Sequence, residues 1–164
     1  MNLDASRPPL ALVVTTEVLL GVLSLVGLGA IALLPGVSAS VADSLPEYAN
    51  LRGPLLALAI AFTFLGLVAL AMVALLVQRI YGETVLEQRS VMWVDVLVGT
   101  LVCAAALIVA GFVVISNGQA GSPFLALIQV MACLGLVALA CITLVLRSLL
   151  KSAIAMATEL EEVV

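Results

Sequence analysis

Apolar and polar positions divide this chain into four long apolar blocks separated by short polar stretches. Positions 10–34, 54–77, 91–115 and 124–146 are almost wholly apolar. Each block is long enough to cross a ~30 Å hydrocarbon core as a helix. A membrane barrel strand needs only ~9–11 residues, so runs of this length leave helices as the spanning element. The pattern predicts an all-α integral membrane protein: a four-helix bundle, a single membrane domain over 1–164.

The boundaries carry their own signals. Pro8-Pro9 can open the first helix, because an N–H in the first turn has no intrahelical partner in any case. Pro35-Gly36 is expected to end it. Positions 36–53 then read as a polar loop with Asp43, Glu47 and Arg52, in which SLPEYANL forms a short surface turn of helix. Pro54 opens the second span. Gly82 breaks the helix that follows, and Thr84 with Glu87 has the spacing of a capping box, which restarts a helix at Val85. Positions 117–122 form a tight uncharged connection, with Ser122 as N-cap and Pro123 as first helical residue. Neither Gly nor Pro occurs over 147–164, so the fourth helix should run on past its span. Leu149, Ala153, Met156, Leu160 and Val163 fall on one stripe of that extension, which makes it amphipathic. Its acidic end disfavours an anionic leaflet, so a protein surface is the expected cover for the stripe.

A secretory signal is the competing reading of the start, with Arg7 before the apolar run and Ser40-Val41-Ala42 as a cleavage site. The run is too long for an apolar core of about 7–15 residues, and Glu17 interrupts it. It is read as a membrane helix.

Composition sharpens this picture. The chain is 65% hydrophobic and 10% charged, with mean hydropathy +1.36. Soluble domains sit near ~45–50% apolar and ~25% charged, so little room is left for a soluble domain. The formal net charge of −4 argues against nucleic acid as a direct partner, since phosphate binding needs a basic face. Histidine is absent, which removes the commonest metal ligand and general base. No cofactor is expected. Cys103, Cys133 and Cys141 all fall in apolar runs and read as small core hydrophobes.

Basic residues set the expected orientation. Arg7, Arg79, Arg89, Arg147 and Lys151 lie to one side and Arg52 to the other. The positive-inside rule places both termini and the 79–90 loop in the cytoplasm, and with them a cytoplasmic helical extension over 147–164.

Some polar residues fall within spans. An ionised carboxylate at a helix centre costs about 2.5–3.5 kcal/mol on insertion scales, so Glu17 and Asp95 should avoid lipid. Asp95 shares a stripe with the small residues Gly99, Cys103, Ala106 and Ala110. Glu17 shares a face with Gly21 and Ser24. Gln129, Cys133, Leu136, Ala140, Thr143 and Arg147 form one face of the fourth span. The simplest arrangement turns all three faces inward, giving an intramembrane polar cluster of Glu17, Asp95, Gln129 and Arg147. Asp95 is the closer partner for Arg147. That pair could fix helix register, or the carboxylates could line a site for a cation, a proton or a basic residue of a partner, with a lipid-headgroup role as a further option.

The segments LLVQRIYGETVLEQRSVMWVDVLVGTLVCAAALIVAGF and GLVALACITLVLRSLLKSAIAMATELEEVV carry a resemblance. They resemble a bacterial family known as domain of unknown function 2975. The matching features are Arg79 with Gly82, Trp93-Val94-Asp95, Leu146-Arg147-Ser148-Leu149-Leu150, and Glu159-Leu160-Glu161-Glu162-Val163-Val164. Leu86 departs from the family pattern, where a Phe is expected. The resemblance implies a small four-span protein of the bacterial cytoplasmic membrane with no established enzymatic activity. It also implies, by gene neighbourhood, a small helix-turn-helix regulator as partner.

The first functional expectation is therefore a non-enzymatic membrane protein that binds a protein partner through its cytoplasmic face. Arg79, Arg89, Leu149, Met156, Leu160 and Glu161 are the surface expected to meet it. The alternatives are a small oligomeric transporter or channel using Glu17 and Asp95, and an accessory subunit of a larger membrane complex. Besides the lipid bilayer, the expected partner is a protein or a second copy of the chain.

Overall fold

The computed structural model describes residues 10–81 and 88–162, with side chains over 11, 13–78 and 91–156. It is all-helical among these residues: α1 (Leu10–Ser44), a 3-10 helix η1 (Pro46–Leu51), α2 (Arg52–Tyr81), α3 (Gln88–Asn117) and α4 (Pro123–Glu162). Four helices are long and apolar enough to cross a membrane. Their outward side chains are apolar: Leu25 is 70% exposed and Phe124 72%, a surface that suits lipid and not water. Hydroxyls inside the spans turn back on their own helices. Ser24 Oγ donates to the Leu20 carbonyl at 2.8 Å, Thr63 Oγ1 to Ala59 at 2.8 Å and Thr143 Oγ1 to Leu139 at 2.7 Å. Where no water is at hand, each polar group must find its partner within the protein.

The expected end of the first helix at Pro35-Gly36 is overturned, because α1 runs through Pro35 to Ser44. Proline removes a single bond, the one to the Ile31 carbonyl. Stopping there would leave the last four carbonyls of the helix to be capped in an apolar setting, the larger loss. The expected polar loop over 36–53 shrinks accordingly. Its first part is the last turns of α1, and its PEYANL stretch is η1. The helical turn read in SLPEYANL is present. Thr84, Glu87 and the restart at Val85 lie outside the described residues; α3 is helical from Gln88.

The α3–α4 turn follows its sequence signals closely. The Ala120 N–H donates to the Ile115 carbonyl at 3.4 Å and the Gln119 N–H to Ser116 at 3.2 Å, the two bonds of a Schellman motif. Ile115 and Ala120, whose apolar contact usually accompanies this motif, are both buried. The residue in the left-handed region is Gln119, with φ 54°. A side chain there costs roughly 1–2 kcal/mol relative to glycine. Gln119→Gly should therefore raise stability by about 1 kcal/mol, read as a shift in the SDS or thermal unfolding midpoint. Ser122 then caps α4: its Oγ accepts from the Leu125 N–H at 3.2 Å, and Pro123 is the first helical residue.

The helices pack in chain order as an open row, α1 on α2, α2 on α3 and α3 on α4, with no comparable interface between α1 and α4. The expected four-helix bundle with three faces turned inward is met in part, since α1 has no comparable interface with α3 or α4. In lipid no hydrophobic force drives helices together, because acyl chains are as apolar as leucine. An edge helix can keep one face bare at little cost. The three inward faces fare differently. On α4, Gln129, Cys133, Leu136, Ala140, Thr143 and Arg147 are all half-buried or buried, as the stripe predicts. On α3 the core positions are instead Val91, Val94, Ala104, Ala105 and Ile115, while Gly99, Cys103 and Ala106 are exposed. On α1, Glu17 and Gly21 are exposed and Ser24 is half-buried. Cys103 and Cys141 are free and exposed, not core.

The end of the row opposite the start of α1 is clamped. Tyr48 Oη, from η1, donates to the Ala120 carbonyl at 2.6 Å. Leu51 lies so close to Gly118 that an added Cβ would sit 2.7 Å from its Cδ2. Arg52 Nε donates to Ser38 Oγ at 3.3 Å. The first two contacts tie the α1–α2 connection to the α3–α4 turn, and the third ties α2 back to α1.

Candidate functional site

The polar site begins with two helices running in opposite directions. Asp95 stands near the start of α3 and Arg147 beyond the middle of α4, and antiparallel packing brings them level. Arg147 Nη2 donates to Asp95 Oδ2 at 2.8 Å, and Arg147 Nε faces Oδ1. The planar guanidinium thus meets the carboxylate side-on, the geometry in which Arg recognises carboxylates best. The two side chains are 31% and 45% exposed, so the pair is open on one flank. It adjoins a crevice of about 470 Å³ lined by Val91, Met92, Lys151, Ile154 and Ala155. Asp95 lies four residues inside the apolar length that begins at Val91, about one helical turn.

In the sequence Lys151 counts only among the basic residues that set orientation, not among the site residues. Its signal was available: it follows Arg147 by one turn on the same side of α4. It is exposed and has no ion pair with a described residue. Among the described residues the crevice therefore carries Arg147 and Lys151 against Asp95.

The other residues of the expected cluster are elsewhere. Gln129 sits near the opposite end of α4, where its Nε2 would lie 3.6 Å from a Cβ placed on Gly111. It lines a hollow of about 290 Å³ with Phe112, Ser116 and Gln119. Glu17 is on α1, which packs on α2 and has no such interface with α3 or α4. It is exposed and its side chain makes no hydrogen bond or ion pair with a described residue. The structure joins Asp95 to Arg147 and separates both from Glu17 and Gln129. The reason is the open row, which leaves Glu17 on an edge helix.

On the expected partner surface, Leu149 is 62% and Met156 64% exposed. The side chains of Arg79, Arg89, Leu160 and Glu161 lie outside the described residues. The backbone that carries Leu160 and Glu161 is helical, since α4 continues unbroken to Glu162.

Four helices long and apolar enough to cross a membrane, the last two joined by the Asp95–Arg147 ion pair, fit a multi-pass α-helical membrane protein. Comparison with protein families places it further. The chain belongs to the family described as protein of unknown function (DUF2975), whose pattern matches residues 36–164. The match begins in the last turns of α1 and takes in η1, the remaining helices and the Asp95–Arg147 pair. No curated protein and no solved structure matches the chain.

Proposed function

We propose that this is a non-enzymatic protein of the bacterial cytoplasmic membrane that holds a protein partner on its cytoplasmic face. The observation that carries the reading is the length of α4. It has 40 residues, or about 60 Å at ~1.5 Å per residue, roughly twice the hydrocarbon thickness. A helix this long projects from the bilayer. Arg147 pins it to α3 near the point of exit, so the projecting part is held at a fixed angle. Leu149 and Met156 stand exposed on it, apolar and uncovered. The distribution of Arg and Lys supports a cytoplasmic position for this end. The family resemblance points to a small helix-turn-helix regulator as the class of partner. Absence of histidine from the sequence, and of a Ser/His/Asp set, supports a binding role over catalysis. No observation favours the channel reading, because Glu17 and Asp95 do not share a path.

The test is capture of the partner from the protein's own membranes by the full chain and by a chain stopped after Ser152. The shortened chain should insert normally and lose the partner. Leu149→Asp with Met156→Asp should weaken capture at least tenfold, the effect of losing roughly 1.4 kcal/mol. Full capture by the shortened chain would refute the reading.

A further inference from the structure

The connection between α1 and α2 holds charges that the fold leaves without partners. Of the basic residues in the chain, Arg52 alone belongs to this end of the helices. Its Nε donates to Ser38 Oγ at 3.3 Å, which fixes the side chain against α1. Its two Nη groups make no hydrogen bond, and the guanidinium no ion pair, with a described residue. Asp43 and Glu47 stand between Ser38 and Arg52 in the chain. Both are exposed and equally without an ion pair among the described residues. One cation and two carboxylates thus lie close in the chain and do not neutralise one another.

A hollow of about 190 Å³ opens beside them, between α1 and α2. Arg52, Ser38 and Tyr48 line its polar part, and Leu34, Val37, Leu56 and Ala59 wall the rest. Ala59 follows Arg52 by two turns of α2, about 10 Å at ~1.5 Å per residue. The apolar runs 10–34 and 54–77 put Leu34, Leu56 and Ala59 in the hydrocarbon, with Arg52 and Ser38 just outside it. That is the headgroup layer of a bilayer, where phospholipid phosphates lie.

Each part of the hollow suits a different part of one amphiphile. The free N–H groups of a guanidinium hold a phosphate bidentately. The apolar walls suit an alkyl chain. Asp43 and Glu47 would repel a second negative charge on the ligand and attract an ammonium.

We infer that the α1–α2 seam holds one phosphatidylethanolamine, its phosphate on Arg52, its ammonium towards Asp43 and Glu47, and one acyl chain in the hollow past Leu56 and Ala59. The site lies at the end of the row opposite Asp95 and is independent of the partner surface on α4.

The full chain tests it, purified in mild detergent and freed of lipid. It is mixed with dipalmitoyl phosphatidylethanolamine or with dipalmitoyl phosphatidylglycerol, which carries the phosphate without the ammonium. Native mass spectrometry counts the lipid retained. One phosphatidylethanolamine per chain is expected, held at least tenfold tighter than phosphatidylglycerol and raising the unfolding midpoint. Arg52→Gln should weaken retention at least tenfold, the effect of losing hydrogen bonds to a charged group. Asp43→Asn with Glu47→Gln should bring the two lipids level. Val37→Trp fills the hollow and leaves every charge in place, and it should weaken retention by a similar factor. Lipid-free unfolding midpoints equal to that of the wild type show that the variants are folded. If Arg52→Gln fails this check, Val37→Trp and the carboxylate variant decide. Unchanged retention in folded Arg52→Gln or in Val37→Trp, or equal binding of the two lipids by the wild type, would overturn the inference. So would displacement of the lipid by sodium phosphate, which would reveal a plain anion site.

Discussion

Arg147→Ala should lower the stability of the inserted protein by about 2–3 kcal/mol, against ~3–5 for removal of one partner from a fully buried ion pair. The lower figure follows from geometry. The pair lies about one turn inside the apolar length and is open along one flank, so Asp95 keeps part of its solvation through the crevice. Alanine at 147 still leaves a carboxylate without its guanidinium where insertion scales penalise charge by about 2.5–3.5 kcal/mol at mid-span. Asp95→Ala should cost less, because the long Arg147 side chain can turn towards the interface. The double variant should be less harmful than the sum of the two, with a coupling of roughly 1–2 kcal/mol in a double-mutant cycle. Unfolding in mixed micelles of increasing SDS fraction measures all four proteins. A coupling near zero would mean that the pair fixes nothing. The same series bears on function: if the pair sets the angle of the projecting α4, Arg147→Ala should weaken partner capture while α4 remains present.

The second large effect is expected at the opposite end. Gly118→Ala should cost about 1–3 kcal/mol, the usual range for overpacking. Its Cβ would sit 2.7 Å from Leu51 Cδ2 and 3.0 Å from Leu51 Cγ, so the whole side chain has to move. Leu51 closes η1, and its displacement would pull Tyr48 from the Ala120 carbonyl, a further hydrogen bond worth about 1 kcal/mol. Gly121→Ala is the internal control. There the nearest atom would be Ile115 Cγ2 at 3.5 Å, an ordinary contact, so the change should stay within about 0.5 kcal/mol. Equal unfolding midpoints for the two variants would show that the clamp does not hold.

Pro35 and Gln119 mark two places where local rules gave way. Proline ends most helices in water because water can take up the freed carbonyls, and in a membrane helix that alternative is missing. The sequence rule therefore stopped α1 too early. Glycine is the common residue at the left-handed position of a Schellman motif, yet here Gln119 holds it, fixed by the bonds from Gln119 and Ala120 and by burial of Ile115 and Ala120. The turn was legible from Ser122-Pro123 alone; the particular residue that bends it was not.

What the sequence determined by itself was everything set by period and length. Four apolar runs of spanning length dictate four helices, because only a helix satisfies its backbone within each run. The helical repeat placed Gln129, Ala140 and Arg147 on one face of α4, and the absence of breakers carried that helix to Glu162. Depth along antiparallel spans singled out Asp95 as the nearer partner for Arg147. Which faces meet was set by the packing of the helices against one another. Helical period defines a stripe but does not say whether it turns to protein or to lipid, and in a bilayer both surroundings are equally apolar. Gly99, Cys103 and Ala106 could have faced inward by period, yet α3 turns Val94, Ala104 and Ala105 to its neighbours instead. The same freedom leaves the row open, puts Glu17 on its edge, and lets a tyrosine in a connecting turn reach a carbonyl 72 positions away.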